Sequence, residues 1–439
     1  MRTRPLFAIL LAAALMAGGA GCEKKSGTGG SSDTKGSQPA AGGSGARTDT
    51  AGGAKPIVVG STLSLSGAFA ATGQIHKIAG EEFVDRLNKA GGLLGRKVEW
   101  VVRDDESDQA KVATLYEQLI SQDKVDLIMG PYATPNILSA MGVAERHGYV
   151  LPQHTAVLAP LMKYPCQFPG WSFGFAPNEF VPGQLFDAMA SLPKPPKKIA
   201  ILTNQNGSTD FVSYGAGDNK KGFVSIAKDR GLEVVAEIKY PPGAATNWAP
   251  LATQVRDAKP DLVINSGLGI DPVNLLQAMA QLNYSPPLMF SLFPAPGPLL
   301  KLGPTADRVL AVTIFEPNQA ILAKLGPEAT ELVNDFKKRA TDAKLPYTAP
   351  ETQAVASWNA WEILASGVKA AGSVDHKAIC DALHKSGADT TFSGHVTFDP
   401  AKNNFWPPAT AGLTQIQDGT WVSVWPAERA AAPIKPPPG

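Results

Sequence analysis

Three consecutive acidic residues, Asp104, Asp105 and Glu106, follow an apolar run and form the first group in the chain that could do chemistry. Paired carboxylates can act as a general acid and base, or they can bind a metal ion. No histidine or cysteine stands near them in the sequence to complete a catalytic or metal site. We therefore favour a structural role, in which these carboxylates cap the following helix and order a loop.

Other catalytic patterns are missing from the sequence. The serine-rich loop 61–66 lacks the glycine and lysine spacings that cradle phosphates, and no GxSxG elbow or CxxC pair occurs. His147, His376 and His384 fall in predicted helices and are expected on the surface, whereas His154 lies at a strand end that would face a cleft. The sequence thus predicts a protein without catalytic residues, cofactor or metal.

Charge and composition indicate a globular protein and do not favour a nucleic-acid partner. Of 439 residues, 40 are Lys or Arg and 39 are Asp or Glu, which leaves a net charge of +1. Nothing in this balance would attract nucleic acid. The length and the 44% hydrophobic content are sufficient for two domains with a sizeable core.

Residues 1–22 have the pattern of an export signal. Arg2 and Arg4 precede an apolar stretch that is too short to span a bilayer, and small residues lead to Cys22. This ending resembles a bacterial lipobox, in which the cysteine is lipidated, although Gly19 departs from the usual leucine. An ordinary signal peptide with an incidental cysteine is the alternative. Residues 23–55, rich in Gly, Ser and Ala, predict a disordered linker.

The organisation of the folded part is clearest between Ile57 and Asp105. An apolar run and a small-residue loop are followed by a helical pattern, which stops at Gly91-Gly92, and then by a second apolar run from Val98. This is the strand–helix–strand unit of a parallel sheet, and ligands of such sheets sit beyond the carboxyl ends of the strands. The loop 61–73 is therefore the first candidate for ligand contact. The alternation continues down the chain and predicts doubly wound α/β lobes.

Several runs of the sequence together resemble one family. In chain order they are VVGSTLSLSGAFAATGQ, NKAGGLLGRKVEWVVRDDESDQAKV, VDLIMGPYATPN, VASWNAWEILASGVKAAG and FSGHVTFDPAKN. The ordered series looks like the leucine-binding-like, branched-chain amino acid-type group of type I periplasmic binding proteins, the solute receptors of ABC importers. The resemblance covers most of the chain after residue 55.

The resemblance implies two Rossmann-like lobes joined by three hinge crossings, with a cleft between them. The predicted division is 1–22 signal peptide, 23–55 linker, 56–176 first part of the first lobe, 177–310 first part of the second lobe, 311–388 second part of the first lobe, 389–428 third crossing and closing hairpin, and 429–439 a proline-rich, disordered tail. In the family, groups at two strand ends hold a ligand carboxylate, and the matching positions are 132–134 and 154–156. Thr134 and Thr155 are equally well explained as caps of the following helices.

Further site residues come from the same comparison of patterns. Tyr214 matches a tyrosine that covers the ligand from the second lobe, while Ser66 and Phe69 lie in the first strand-end loop. The predicted ligand contacts are Ser66, Phe69, Tyr132, Ala133, Thr134, His154, Thr155, Ala156, Tyr214, Asp271 and Phe293.

One departure from the family concerns the acid that pairs with a ligand ammonium. The matching segment here, Leu292 to Pro294, carries no carboxylate. A buried unpaired ammonium would cost several kcal/mol. Either Asp271 supplies the charge, or the ligand lacks an ammonium and is apolar or aromatic, as Tyr132, Phe293 and Phe69 suggest.

The sequence as a whole predicts a lipid-anchored, periplasmic solute-binding protein. It would close on an amino acid-like, amide or aromatic carboxylate solute and deliver that solute to a membrane permease. A sensory receptor that reports the ligand to a membrane partner is the alternative. Cys166 and Cys380 remain after processing and are either a disulfide or two free thiols.

Overall fold

The computed structural model of the chain describes residues 54–243, 246–408 and 410–437. The predicted signal peptide with Cys22, and nearly all of the predicted linker, lie outside these residues. The strands are β1 Ile57–Leu63, β2 Val98–Asp104, β3 Leu127–Ile128, β4 Leu151–Gln153, β5 Gln167–Pro169, β6 Lys198–Asn204, β7 Glu233–Tyr240, β8 Leu262–Gly269, β9 Leu288–Pro294, β10 Val309–Thr313, β11 Ala388–Thr390, β12 Gly394–Val396, β13 Gly412–Gln417 and β14 Thr420–Trp425. The helices are α1 Ala70–Lys89, α2 Gln109–Ser121, α3 Thr134–His147, α4 Pro177–Ala190, α5 Gly207–Tyr214, α6 Phe223–Asp229, α7 Trp248–Ala258, α8 Asp271–Gln281, α9 Pro296–Leu300, α10 Gln319–Leu325, α11 Pro327–Asp342, α12 Thr352–Ala371 and α13 His376–Ser386.

The first lobe is built on a parallel sheet with the strand order β2-β1-β3, beside the separate parallel pair β4 and β5. Helix α1 packs its apolar face, which includes the buried Ile75 and Ile78, against the core, and α12 lies against it. Gly92 ends the α1 turn with φ +77°, and a Cβ there would lie 1.9 Å from the carbonyl oxygen of Arg96. Only glycine fits this turn, which aims the chain into β2.

The second lobe contains a seven-stranded sheet with the order β14-β13-β10-β9-β8-β6-β7. Strands β6 to β10 are parallel, and β13 and β14 are antiparallel to their neighbours. Asp418 and Gly419, which join β13 to β14, have φ values of 51° and 80°. Two consecutive positive φ angles match the twist of a two-residue hairpin turn.

The position of β10 differs from the predicted boundary. The sequence division returns the chain to the first lobe at residue 311, but β10 pairs with β9 and with β13 in the second lobe's sheet. An apolar run indicates a buried strand without indicating its partner, because pairing depends on tertiary contacts. The chain crosses between lobes after β5, after β10 and between β12 and β13, which gives two α/β lobes joined by three crossings.

The C-terminal segment is also ordered as far as residue 437, in contrast to the predicted disordered tail. The Gln417 side chain donates to the carbonyl of Pro433, and the backbone N–H of Lys435 donates to the Gln415 side chain at 2.7 Å. The Arg308 side chain donates to the carbonyl of Pro436. Prolines lack a backbone donor, but their carbonyls accept bonds from side chains on β13 and beside β10.

A disulfide joins Cys166, just before β5, to Cys380 in α13. The two Cα atoms are 5.4 Å apart and 214 residues apart in sequence. This resolves the two alternatives that the sequence left open for these cysteines. Such bonds persist in oxidising compartments outside the cytoplasm.

Candidate ligand-binding cleft

A small cavity lies where strand ends of the two lobes meet, and we call it the cleft cavity. Its free volume is about 20 Å³. Its lining residues are Tyr132, Ala133, Thr134, Thr155, Val157, Trp171, Ser208, Leu268, Phe293 and Gln353. Ligand sites usually have volumes of several hundred Å³, whereas this space suits about one water molecule. The lobes are therefore closed on each other, and a solute would enter after they separate.

The loop before α3 forms one wall of the cleft cavity. Ala133 has φ 72°, an unusual value for a residue with a side chain, and Thr134 begins the helix. The hydroxyl of Thr134 accepts a bond from the backbone N–H of Val157 at 3.0 Å. This hydroxyl therefore ties two strand-end loops together and does not cap α3.

Thr155 is the polar residue of this wall that lacks a partner. It is 4% exposed, and its hydroxyl makes no hydrogen bond within the described parts of the chain. Burying a hydroxyl without a partner is unfavourable, so such groups in a cleft are suited to contact a ligand. Of the two threonines, Thr155 is the one whose hydroxyl is available.

His154 and His76 are stacked behind the wall, with ring centroids 4.4 Å apart. Both are fully buried, and burial lowers the pKa of His154 to about 4, opposed by a backbone contact with Pro131. The pKa of His76 is lowered by burial and by His154, although the hydrogen bond with Gln353 opposes this. Both rings are neutral near pH 7, so they support the wall without adding positive charge.

The second lobe contributes Ser208, Leu268 and Phe293 to the cleft cavity. The side chain of Asn206 caps α5 by accepting a bond from the Ser208 backbone at 2.9 Å, which places Ser208 at the helix start. The Phe293 ring lies 5.5 Å from the ring of Trp171. This face of the cavity is therefore largely apolar and aromatic.

The predicted ligand contacts fall into two groups. Tyr132, Ala133, Thr134, Thr155 and Phe293 line the cleft cavity together. The other predicted residues do not line it, and they are Ser66, Phe69, His154, Ala156, Tyr214 and Asp271.

Phe69 and Ala156 support the wall from behind. The Phe69 ring packs edge-on against Tyr132 at 5.7 Å. The backbone of Ala156 is bonded to the side chains of Gln153 and Trp171. Ser66, in contrast, is exposed and its backbone N–H donates to Asp104.

Tyr214 and Asp271 each contact other residues of the second lobe. The Lys239 ammonium lies 3.9 Å from the centre of the Tyr214 ring. One carboxylate oxygen of Asp271 accepts bonds from Asn204 at 2.7 Å, from Tyr240 at 2.9 Å and from the Leu268 backbone at 3.2 Å. Burial raises the pKa of Asp271, and these bonds oppose the shift.

The acidic run after β2 has the predicted loop-ordering role. Asp105 is fully buried and accepts bonds from the hydroxyls of Thr62 and Ser64 and from the Ser107 backbone. Asp104 accepts bonds from three backbone N–H groups. The predicted helix-capping role is wrong, because Asp108 caps α2 instead.

The surface prediction holds for His147 but is wrong for two other histidines. His147 is exposed and pairs with Glu117. His376 packs against the Tyr149 ring at 3.8 Å, and burial lowers its pKa to about 4. His384 is half-buried beside Cys380. Tertiary packing of α13, which the sequence pattern does not reveal, covers both rings.

Five residues of the cleft cavity were not among the predicted ligand contacts: Val157, Trp171, Ser208, Leu268 and Gln353. Ser208 follows an Asn-Gly pair that signals a helix start, so its position had a usable signal. Gln353 lies in the first turn of α12, and its sequence neighbourhood has no pattern that marks a ligand contact.

Among the described residues, no helix is long and apolar enough to cross a bilayer, and no cluster of potential ligands could hold a metal ion.

Comparisons with known proteins agree with this architecture. Residues 56–420 match the family model described as periplasmic binding protein. The Leu/Ile/Val-binding protein homolog 8 of Brucella abortus (strain 2308) is 26% identical over 398 residues, covering 86% of this chain and 93% of that relative.

Two solved structures are also similar. The branched-chain amino acid transporter substrate binding protein LivJ of Streptococcus pneumoniae, in complex with isoleucine, has a TM-score of 0.66 and 20% identity, covering 83% of this chain and 97% of its own. A solute-binding protein of an ABC transporter from R. palustris, in complex with benzoate, has a TM-score of 0.65 and 22% identity, covering 84% and 95%. At these identities the likeness establishes the fold.

The fold and the closed cleft define a two-lobed ligand-binding protein. The chain belongs to the periplasmic binding protein family, in its leucine-binding-like type I group. This family is extracytoplasmic, and its members bind a small solute and deliver it to ABC permeases.

Proposed function

We propose that this protein is the solute receptor of an ABC importer and binds a small solute in the cleft cavity. The observation that carries the proposal is the shared lining of that cavity. Thr155 belongs to the first lobe, Phe293 to the second, and Gln353 to the start of α12, which packs against α1 of the first lobe. A solute in contact with both lobes binds the closed form more tightly than the open form.

Binding would shift an equilibrium between open and closed forms. The three crossings act as the hinge, and a solute can shift this equilibrium only by its difference in affinity for the two forms. The permease would then recognise the closed form. A lipid anchor at Cys22 would keep the receptor at the membrane, as the sequence pattern suggests.

The lining supports a solute with an apolar body and a polar end. Trp171, Phe293 and Tyr132 offer apolar and aromatic surface, while the free hydroxyl of Thr155 offers a donor. An amino acid-like molecule, an amide or an aromatic carboxylate has this chemistry. The similar proteins solved with isoleucine and with benzoate cover the aliphatic and aromatic ends of this range.

Thermal unfolding of the full-length protein with a solute panel tests the proposal. The panel contains aliphatic and aromatic amino acids, aromatic carboxylates, short amides and urea. A solute at 100 times its dissociation constant should stabilise the protein by ~2.7 kcal/mol, which is a shift of a few degrees.

Two matched variants locate the binding. Phe293→Ala removes a ring of the cleft cavity, and Phe175→Ala removes an exposed ring (45% exposed) that does not line it. We expect the first variant to reduce the ligand-induced shift and the second to leave it unchanged. An equal loss in both variants, or no shift with any solute, would contradict the proposal.

A further inference from the structure

A second cavity of about 20 Å³ adjoins the cleft cavity, and we call it the carboxyl cavity. Two of its lining residues are acidic, Glu316 after β10 and Glu351 just before α12. Its lining residues are Phe293, Pro294, Pro296, Ala311, Val312, Glu316, Glu351, Thr352, Gln353, Thr414 and Trp421. None of these residues is basic, so the lining itself gives the two carboxyl groups no positive charge.

Both carboxyl groups are buried and poorly satisfied. Glu316 and Glu351 are 6% and 7% exposed, and one oxygen of Glu351 has no hydrogen-bond partner in the described part of the chain. Glu316 accepts one long bond, 3.5 Å, from the Tyr347 hydroxyl. Neither carboxylate forms an ion pair with a described lysine, arginine or histidine. Buried carboxyl groups are normally paired or multiply hydrogen-bonded.

Electrostatics agree with this geometry. Burial raises the pKa of Glu351 to about 8, opposed by the Gln353 backbone. Burial, and then the charge of Glu351, raise the pKa of Glu316. Both carboxyl groups are therefore readily protonated when the cavity holds no ligand. A positive charge placed between them would favour their ionised forms.

The carboxyl cavity adjoins the cleft cavity and shares part of its lining. Phe293 and Gln353 line both cavities. The charge of Glu351 also reaches Tyr132, a residue of the cleft cavity, and contributes to the raised pKa of that phenol after burial. A solute that touches Thr155 with one end could therefore extend past Gln353 toward the two carboxyl groups.

We propose that Glu316 and Glu351 bind the protonated amino group of the solute, which would make a primary ammonium the feature that selects it. This inference rests on the proposed solute-binding function. It also supplies the acid that is missing from the segment Leu292–Pro294. Asp271, the other acid considered, already receives three hydrogen bonds within the second lobe.

Calorimetric titration of the full-length protein with matched solutes tests the inference. Each pair differs only in the ammonium: phenylalanine with 3-phenylpropanoate, and leucine with 4-methylpentanoate. We expect the ammonium-bearing member to bind at least tenfold more tightly. Glu351→Gln keeps the shape and removes the charge, so it should weaken binding of that member tenfold to a hundredfold and leave its partner unchanged.

The control variant is Glu82→Gln, which changes a fully buried carboxyl in α1 that lines neither cavity. Its affinities should equal those of the wild type. Circular dichroism checks that Glu351→Gln is folded, and if it is not, Glu316→Gln decides the same question.

The outcomes separate this inference from the proposed function. Equal binding of both members of a pair, or unchanged ammonium binding by Glu351→Gln, would overturn the inference and leave solute binding intact. If no member of either pair binds and no solute of the thermal panel raises the unfolding temperature, the proposed function is overturned, and the inference with it.

Discussion

Two acidic pairs in this protein have opposite surroundings. Asp104 and Asp105 receive six hydrogen bonds from a loop folded around them. Glu316 and Glu351 lie beside a cavity and receive one long bond from Tyr347, with an unpartnered oxygen on Glu351. The first pair is satisfied by its own chain, and the second pair has unused capacity to bind. The donors that the fold supplies, together with the neighbouring cavity, therefore distinguish the two pairs, whereas residue type does not.

The largest expected effect comes from Asp105. Asp105→Ala would leave two buried hydroxyls and the Ser107 N–H without their acceptor, so the free energy of unfolding should fall by about 3–5 kcal/mol. Urea denaturation measures this change. The matched substitution Glu351→Ala removes few bonds and should cost clearly less. An equal loss for both variants would remove the distinction between the pairs.

A smaller effect is expected in the pH dependence of stability. The pKa of Glu351 is raised from 4.5 to about 8 in the folded protein. The stability associated with its proton is fully present below pH 4.5 and is lost as the pH rises through about 8. Between pH 5 and 8 the wild type should lose about 3 kcal/mol more than Glu351→Gln, as measured by urea denaturation at both pH values. Parallel losses in the two proteins would show that Glu351 does not carry the raised pKa.

The smallest effect is expected from two hydroxyl groups, one with a hydrogen-bond partner and one without. Thr134 accepts a bond from Val157, and Thr155 has no partner. Thr134→Val should therefore cost about 1 kcal/mol of stability, whereas Thr155→Val should be neutral or stabilising while weakening solute binding. Thermal unfolding with and without a bound solute measures both properties. A larger stability loss for Thr155→Val would contradict this assignment.

Much of the fold could be predicted from local patterns. The helical spacing after Gly73, the stop at Gly91-Gly92 and the apolar run from Val98 predicted α1 and β2 correctly, because these signals are local. The place of β10 could not be predicted, since an apolar strand carries no information about its neighbour. The order along the seven-stranded sheet is set by tertiary contacts.

The residues of the candidate site were also predictable only in part. Tyr132 and Thr155 were predicted from the family resemblance, which matched them to strand ends, where ligands of parallel sheets bind. Glu316 lies just after β10, and Glu351 and Gln353 lie at the start of α12, so none of the three follows a buried strand end that the sequence pattern marked. Whether a buried oxygen has a partner depends on groups distant in sequence: Thr134 accepts a bond from Val157, 23 residues away, whereas Glu316 accepts only a long bond from Tyr347, 31 residues away.

The disulfide between Cys166 and Cys380 has a consequence for proteolysis. It closes a covalent ring that contains α4 to α12, including most of the second lobe. A protease that cuts the exposed turn at Pro242 would therefore cut within this ring. The two fragments would migrate as one species on a non-reducing gel and separate only after reduction.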